Sequence, residues 1–197
     1  MTRASGTDGV GGVQPPTPWQ PAAEHGIERA ENDARLSAEL ASVIAGARRR
    51  AVRDGDRQVD TAHLLHSLLE SDPEARAAAG DGPQTARLLG YLVQRSIGYG
   101  LRWQSAVEDS GAVPVVTGAA GLSPLAAAAL EHACARAARH GGPARGADLL
   151  AALVVDRKAR AVEVLERAGV EPPEVLARLD GRSGLPHESV RGGEAGP

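Results

Sequence analysis

The chain contains no phenylalanine at all, and aromatic residues make up only 2% of its 197 positions. A β-sandwich is filled by aromatic and β-branched side chains on pleated strands, so this composition leaves Ala, Leu and Val to build the interior. The expectation is an all-α fold with close helix contacts. A single cysteine, Cys134, excludes an intramolecular disulfide and suits a reducing cytoplasm. No run of about 18 apolar residues occurs, and the N-terminus lacks a continuous apolar core. Neither a membrane span nor secretion is therefore expected. Lys158 is the sole lysine, and 22 basic against 25 acidic residues leave a formal charge of -3, which weighs against a protein that lives on phosphate backbones. The Gly-x-x-x-x-Gly-Lys-Ser/Thr phosphate cradle, the Gly-x-Ser-x-Gly elbow and a dinucleotide fingerprint are all missing, so no enzyme activity and no cofactor are expected.

What the chain does have is one helical pattern written twice. Leu36, Ser37, Arg50, Ala51, Arg53 and Gly55 recur 86 positions later as Leu122, Ser123, Arg136, Ala137, Arg139 and Gly141. Leu64, Leu65 and Leu68 recur at an offset of 85 as Leu149, Leu150 and Leu153, and Ala75, Arg76 and Ala77 at 84 as Ala159, Arg160 and Ala161. An offset that shrinks by single residues is what short deletions in loops leave behind. Duplication on this scale implies two modules packed about a pseudo-two-fold axis, since neither has enough apolar surface to bury alone.

Within the first copy, Leu36, Leu40, Val43 and Ala47 fall at helical spacing, with Ser37 or Asp33 to cap and Gly55 to end the helix. Thr61 reads as the cap of a second helix through Leu64, Leu65, Leu68 and Leu69, before Asp72 and Pro73. In the second copy Ser123 caps, Pro124 opens the helix, and Gly141 and Gly142 break it. A leucine-rich helix follows from Asp148, another surrounds Val162 and Leu165, and a short one runs from Val175 to Leu179 after a Pro172-Pro173 turn. Between the copies, residues 87–97 read as an amphipathic helix. The Tyr91 to Trp103 stretch holds both tyrosines and one of the two tryptophans. The expected organisation is a disordered segment over 1–26, with Trp19 its one apolar anchor, then a first repeat with an extra helix over 27–103. A linker over 104–121, a second repeat over 122–179 and a disordered tail over 180–197 complete it.

Candidate chemistry is sparse. His63, His66 and Glu70 share one helix face and could form half a metal site, but no companion cluster completes it, and no metal is expected. Cys134 reads as a small buried thiol among alanines rather than a nucleophile. Arg48, Arg49, Arg50 and Arg53, followed by Arg57, read as a solvated face diluted by Asp54 and Asp56.

The repeated order of Ser/Thr cap, long helix, Gly-containing turn, short element and leucine-rich helix resembles the N-terminal repeat domain of Clp-type AAA+ unfoldases. The matching pieces are Leu36-Ser37 and Leu122-Ser123-Pro124, then Val59-Asp60-Thr61-Ala62-His63-Leu64-Leu65 and its echo Arg145-Gly146-Ala147-Asp148-Leu149-Leu150, and last Val162 to Val170. The resemblance covers residues 30 to 180. It implies a substrate- and adaptor-docking platform, here standing without the ATPase ring, whose partners are proteins or peptides such as Clp components or their clients. A second implied role is a sequestering module for an apolar peptide-like antibiotic that targets the unfoldase. Family members that bind phosphorylated arginine carry a glutamate between the Thr and His of each copy. Those positions are Ala62 and Ala147 here, and a methyl group cannot pair with a guanidinium, so that activity is not carried over. His63 is kept, while its counterpart is Asp148. The resemblance therefore places partner binding around Leu36, Ile44, Leu122 and Ser123, with Thr61, Ala62, His63, Ala147 and Asp148 as the residues that answer to the family's motif.

Overall fold

Eight helices make up the described residues of the computed structural model, which are 35–96, 108 and 121–183. They are α1 (Ala38–Asp54), α2 (Thr61–Ser71), α3 (Pro73–Ala79) and α4 (Gly82–Ser96), then α5 (Pro124–Arg139), α6 (Gly146–Leu153), α7 (Arg160–Arg167) and α8 (Pro172–Ser183). The segment 1–26 with Trp19, most of the 104–121 linker, residues 97–103 and the tail from 184 lie outside the described residues.

The long helix of each repeat is started and stopped by the same chemistry. Ser37 Oγ accepts the Leu40 amide at 3.1 Å, and Ser123 Oγ accepts the Ala126 amide at 3.1 Å. Each hydroxyl satisfies one of the first-turn donors that a helix leaves unpaired. Gly55 and Gly141, 86 positions apart, both adopt φ 74°, the left-handed conformation that ends a helix at little cost only for glycine. Leu40, Val43, Ile44, Ala47 and Ala51 bury one face of α1, and Leu125, Ala126, Ala129, Ala133 and Ala137 bury that of α5.

Two isolated parallel bridges are related to each other by the repeat offset, as a pseudo-two-fold arrangement requires. Leu36 pairs with Ala144, and Val59 pairs with Leu122. Shifting Leu36 by 86 and Ala144 back by 85 turns the first pair into the second. Their hydrogen bonds map likewise. Ser37 N–H donates to Ala144 O at 2.9 Å, and Ser123 N–H donates to Val59 O at 2.8 Å. Each repeat thus clasps the segment before the other's second helix, and the two share one core.

At the centre lies α2, which touches α1, α3, α4, α5, α6 and α7. Every residue from Thr61 to Leu69 is buried. A helix buried all round needs small or apolar residues on every face, which the sequence Thr-Ala-His-Leu-Leu-His-Ser-Leu-Leu supplies apart from its two histidines. Close approach is part of the design. At Gly46 of α1 an added Cβ would lie 3.0 Å from Ser67 Oγ of α2.

The all-α, two-repeat expectation holds, and four local expectations are corrected. Asp60, not Thr61, caps α2: its Oδ1 accepts the His63 amide at 2.9 Å, and His63 Nδ1 accepts the Asp60 amide at 3.2 Å, a reciprocal box that frees the Thr61 hydroxyl. Asp72 both ends α2 and caps α3, accepting from Glu74 and Ala75 amides at 2.9 and 3.0 Å, so the expected stop at Asp72-Pro73 is also a helix start. The amphipathic helix expected at 87–97 begins five residues earlier, where Asp81 and Gln84 cap reciprocally at 2.8 and 3.1 Å. Pro172 and Pro173 are not a turn but the first turn of α8, which continues to Ser183 inside the expected tail.

Candidate functional site

Three helix starts converge on one carboxylate. Glu108 comes from the stretch between the repeats, and it is buried. Its Oε2 accepts the Thr61 amide at 2.9 Å and the Ser123 hydroxyl at 2.7 Å. Its Oε1 accepts the Arg160 amide at 2.7 Å and the Thr61 hydroxyl in a short contact. Both hydroxyls also work as acceptors. Ser123 Oγ takes the Ala126 amide of α5, and Thr61 Oγ1 takes the Ala161 amide of α7 at 3.0 Å. Each is therefore oriented by a helix start on one side and donates to Glu108 on the other. Four donors to two oxygens is a fully satisfied carboxylate, and helix N-termini favour negative charge.

The surroundings temper that positive field. Arg160 Nη1 sits 2.6 Å from Asp60 Oδ2, both groups being largely buried, so the guanidinium of the residue whose amide enters the cradle is already paired. Beside the cradle a cavity of about 170 Å³ is lined by Thr61 and Ala159 next to Leu125, Ala129, Leu153 and Val155, with His132 and Asp156 among its polar lining residues. Val155 is one of the few large apolar side chains exposed in the described residues.

A second polar group surrounds His63, which is buried. Nδ1 lies 2.8 Å from Asp60 Oδ1, while Nε2 lies 3.2 Å from Asp56 Oδ2 and 3.8 Å from Asp54 Oδ2. Asp56, Asp60 and His63 could offer ligand atoms within 4.8 Å of one another. Asp60 is already engaged at both oxygens, however, with Oδ1 accepting the His63 amide and Oδ2 paired with Arg160, so these groups serve the helix start and an ion pair. The half-site suggested by His63, His66 and Glu70 is separated. His66 Nε2 faces Glu70 Oε1 at 3.3 Å and its Nδ1 lies 3.4 Å from Arg50 Nη1, whereas His63 faces the aspartates. Arginine can only donate, so Nδ1 is the acceptor and Nε2 carries the proton. Burial, helped by the Arg50 guanidinium and opposed by Glu70, pulls the His66 pKa down to about 4.

The residues expected to bind a partner separate into groups. Thr61 and Ser123, one from each repeat, meet at Glu108. Leu36 and Leu122 are half-buried at the two bridges, while Ile44 and Ala62 are buried outright. Ala147 and Asp148 are half-buried at the start of α6, where Asp148 Oδ2 accepts the Arg145 amide at 3.0 Å and Oδ1 lies 3.3 Å from Arg136 Nε. Cys134 is half-buried rather than enclosed. It lines an open groove with Arg35, Ala135, Ala138 and residues 141–143, and burial pushes its thiol pKa up while Arg35 pulls it down. Of the arginine cluster, Arg48, Arg49, Arg53 and Arg57 are exposed, and Arg50 turns to Glu70. Glu108, Arg160 and Ala161 were not singled out by the sequence as site residues.

No family model and no curated protein matches the sequence. Among solved structures, the fold is similar to one described as arising from preliminary structural investigations of a malarial protein secretion system. The match has a TM-score of 0.55 and 15% sequence identity, and covers 75% of this chain and 94% of that one. At that identity the likeness speaks for the fold alone, and it agrees with a helical repeat architecture. No helix among the described residues is long and apolar enough to cross a membrane.

Proposed function

We propose that this chain is a non-catalytic docking module of the Clp N-terminal type, which binds proteins or peptides of a cytoplasmic Clp proteolytic system as an adaptor, a regulator or a decoy for unfoldase substrates. The observation that carries this reading is the pair of symmetry-related bridges, Leu36 with Ala144 and Val59 with Leu122. They give the chain the duplicated helical architecture that its sequence motifs imply. The ionisable side chains support the same reading. His63 and Asp148 reach back to the amides of Asp60 and Arg145, Asp60 and Asp72 cap helices, and Glu108 is bound at three helix starts. These are positions that hold a fold in register.

Phosphoarginine recognition is not part of the proposal. Ala62 is buried and Ala147 is half-buried, and neither offers a carboxylate. The cavity of about 170 Å³ is sized for a side chain. Sites for drug-sized molecules run from roughly 300 to 1,000 Å³, so this cavity suits a peptide side chain, whereas the open groove beside Cys134, at about 460 Å³, has the size an antibiotic would need.

The test combines the purified full chain with the Clp unfoldase and protease of the same cell and follows degradation of a fluorescent substrate. A change in degradation rate that saturates with added chain, together with co-purification of the unfoldase or its clients, is the expected result. An unchanged rate with none of them recovered overturns the proposal.

A further inference from the structure

The Glu108 cradle has the construction of a receptor whose ligand happens to be part of the same chain. Its donors are the Thr61 amide and hydroxyl, the Ser123 hydroxyl and the Arg160 amide. All belong to helices of the two repeats. The group they hold belongs to neither repeat. Thr61 and Ser123 are each only 1% exposed, and their hydroxyls are held by the Ala161 and Ala126 amides as well as by Glu108, so the helix starts themselves orient the donors toward the acceptor. Preorganised donors at helix starts recognise an anion.

The details select a carboxylate. Two oxygens, each taking two hydrogen bonds, match a planar carboxylate, whereas a phosphate would bring a third oxygen and further charge to a site whose Arg160 guanidinium is already paired with Asp60. Asp156, which lines the adjoining cavity, opposes extra negative charge as well. That cavity supplies the second half of the specificity. Leu125, Ala129, Leu153 and Val155 form an apolar recess that meets the cradle at Thr61 and Ala159, with room for about one aliphatic side chain.

We propose that the Thr61–Ser123–Arg160 cradle and its adjoining recess form a recognition site for an acidic peptide, in which a Glu or Asp carboxylate takes the place of Glu108 and a neighbouring aliphatic side chain fills the recess. Glu108 is then an internal stand-in for the partner's acid. This gives the docking role a partner chemistry, but it does not depend on the partner being a Clp component.

A defined probe tests it. The chain's own sequence carries an aliphatic residue beside the acid, Val107-Glu108. A fluorescein-labelled synthetic peptide spanning residues 104–112, with Asn in place of Asp109 so that Glu108 is its one side-chain acid, is titrated by anisotropy into the full chain and into Glu108→Ala, with the same peptide bearing Gln at the Glu108 position as control. Charge-assisted hydrogen bonds set the expected scale: Glu108→Ala should bind the Glu peptide roughly tenfold more tightly than the parent chain does, and the Gln peptide roughly tenfold more weakly. Adding Thr61→Val to Glu108→Ala should abolish the preference for Glu. If a helical, cooperatively melting Glu108→Ala fails to bind, or binds both peptides equally, the proposal is overturned. Should Glu108→Ala fail to fold, the parent chain is titrated by NMR. Peptide-dependent shifts at the Thr61, Arg160 and Ala161 amides then support the site, and their absence overturns it. Because the readout involves no unfoldase, it can fail or succeed apart from the degradation assay.

Discussion

Replacing Gly146 by alanine should cost this protein far more than a helix-favouring substitution normally would. Gly146 opens α6 without a left-handed backbone, so alanine suits its local conformation, and in open space the change would add about 0.4–1 kcal/mol of stability. Here the new Cβ would sit 1.8 Å from Asp72 Oδ2, 2.8 Å from Asp72 Cγ and 3.0 Å from Leu68 Cδ1. Leu68 is completely buried, so the Asp72 carboxylate must swing away, and its Oδ1 then abandons the Glu74 and Ala75 amides. Loss of such a cap costs about 1 kcal/mol, and crowding a packed contact about 1–3. The net expectation is a loss of about 2 kcal/mol, read from urea unfolding followed by far-ultraviolet circular dichroism. A double-mutant cycle isolates the cause. Asp72→Ala alone removes the cap, and Gly146→Ala on that background should cost about 1 kcal/mol less than on the parent, since the carboxylate it collides with is gone. A Gly146→Ala protein within 0.5 kcal/mol of the parent, or a strictly additive cycle, would refute the steric argument.

Three further outcomes follow from the same side chains. His66 is held neutral in the folded state, so the unfolded chain takes up its proton first as pH falls. Its contribution is intact above pH 6.5 and is lost progressively toward pH 4; the parent should lose about 1–3 kcal/mol more than His66→Gln across that window, and parallel stability curves would contradict this. Ser67 Oγ is buried between α1 and α2 with no hydrogen-bond partner among the described residues, so Ser67→Ala should be neutral or stabilising by up to about 1 kcal/mol, and a clear drop in melting temperature would show that the hydroxyl is satisfied after all. The raised thiol pKa and half-buried position of Cys134 should slow its alkylation by iodoacetamide at pH 7.5 by roughly an order of magnitude relative to free cysteine, and equal rates would count against the described groove.

The repeat was legible because caps and glycines are local. Ser37, Ser123, Gly55 and Gly141 each act within one helical turn of their position, so the spacing of residue types carries the information. The core leucines of α2 and α6 were legible for the same reason. Thr61 misled as a cap because Asp60 beside it is equally able to accept the first-turn amides, and only the His63 ring reaching back settles the choice. The short helix α3 hid behind Pro73, which the sequence offers both as a stop and as a start. Glu108 had no local signal whatever. Its partners lie 47, 15 and 52 positions away at Thr61, Ser123 and Arg160, and an acidic pair, Glu108-Asp109, between two Gly-containing stretches looks like any solvated linker.

The two halves are similar enough that their differences stand out at one junction. Asp72 Oδ1 accepts the Glu74 amide at 2.9 Å, and its counterpart Asp156, 84 residues on, accepts the Lys158 amide at 2.8 Å. Opposite Asp72 stands Gly146, whose missing side chain lets the carboxylate close against α6. The corresponding position facing Asp156 is Thr61, and there the two residues line a cavity instead. One methyl and one hydroxyl thus divide the pseudo-symmetric junctions into a sealed one and an open one. The charges diverge in step. Asp60 holds Arg160 beside the open junction, whereas Arg145 replaces Asp60 at the sealed one, and Arg76, the counterpart of Arg160, turns away to the Leu69 and Glu70 carbonyls at 2.7 Å. An inward-facing arginine would meet like charge there. The sealed junction serves stability. The open one, with its donors arranged around the Glu108 carboxylate, is the junction at which the proposed acidic peptide would bind.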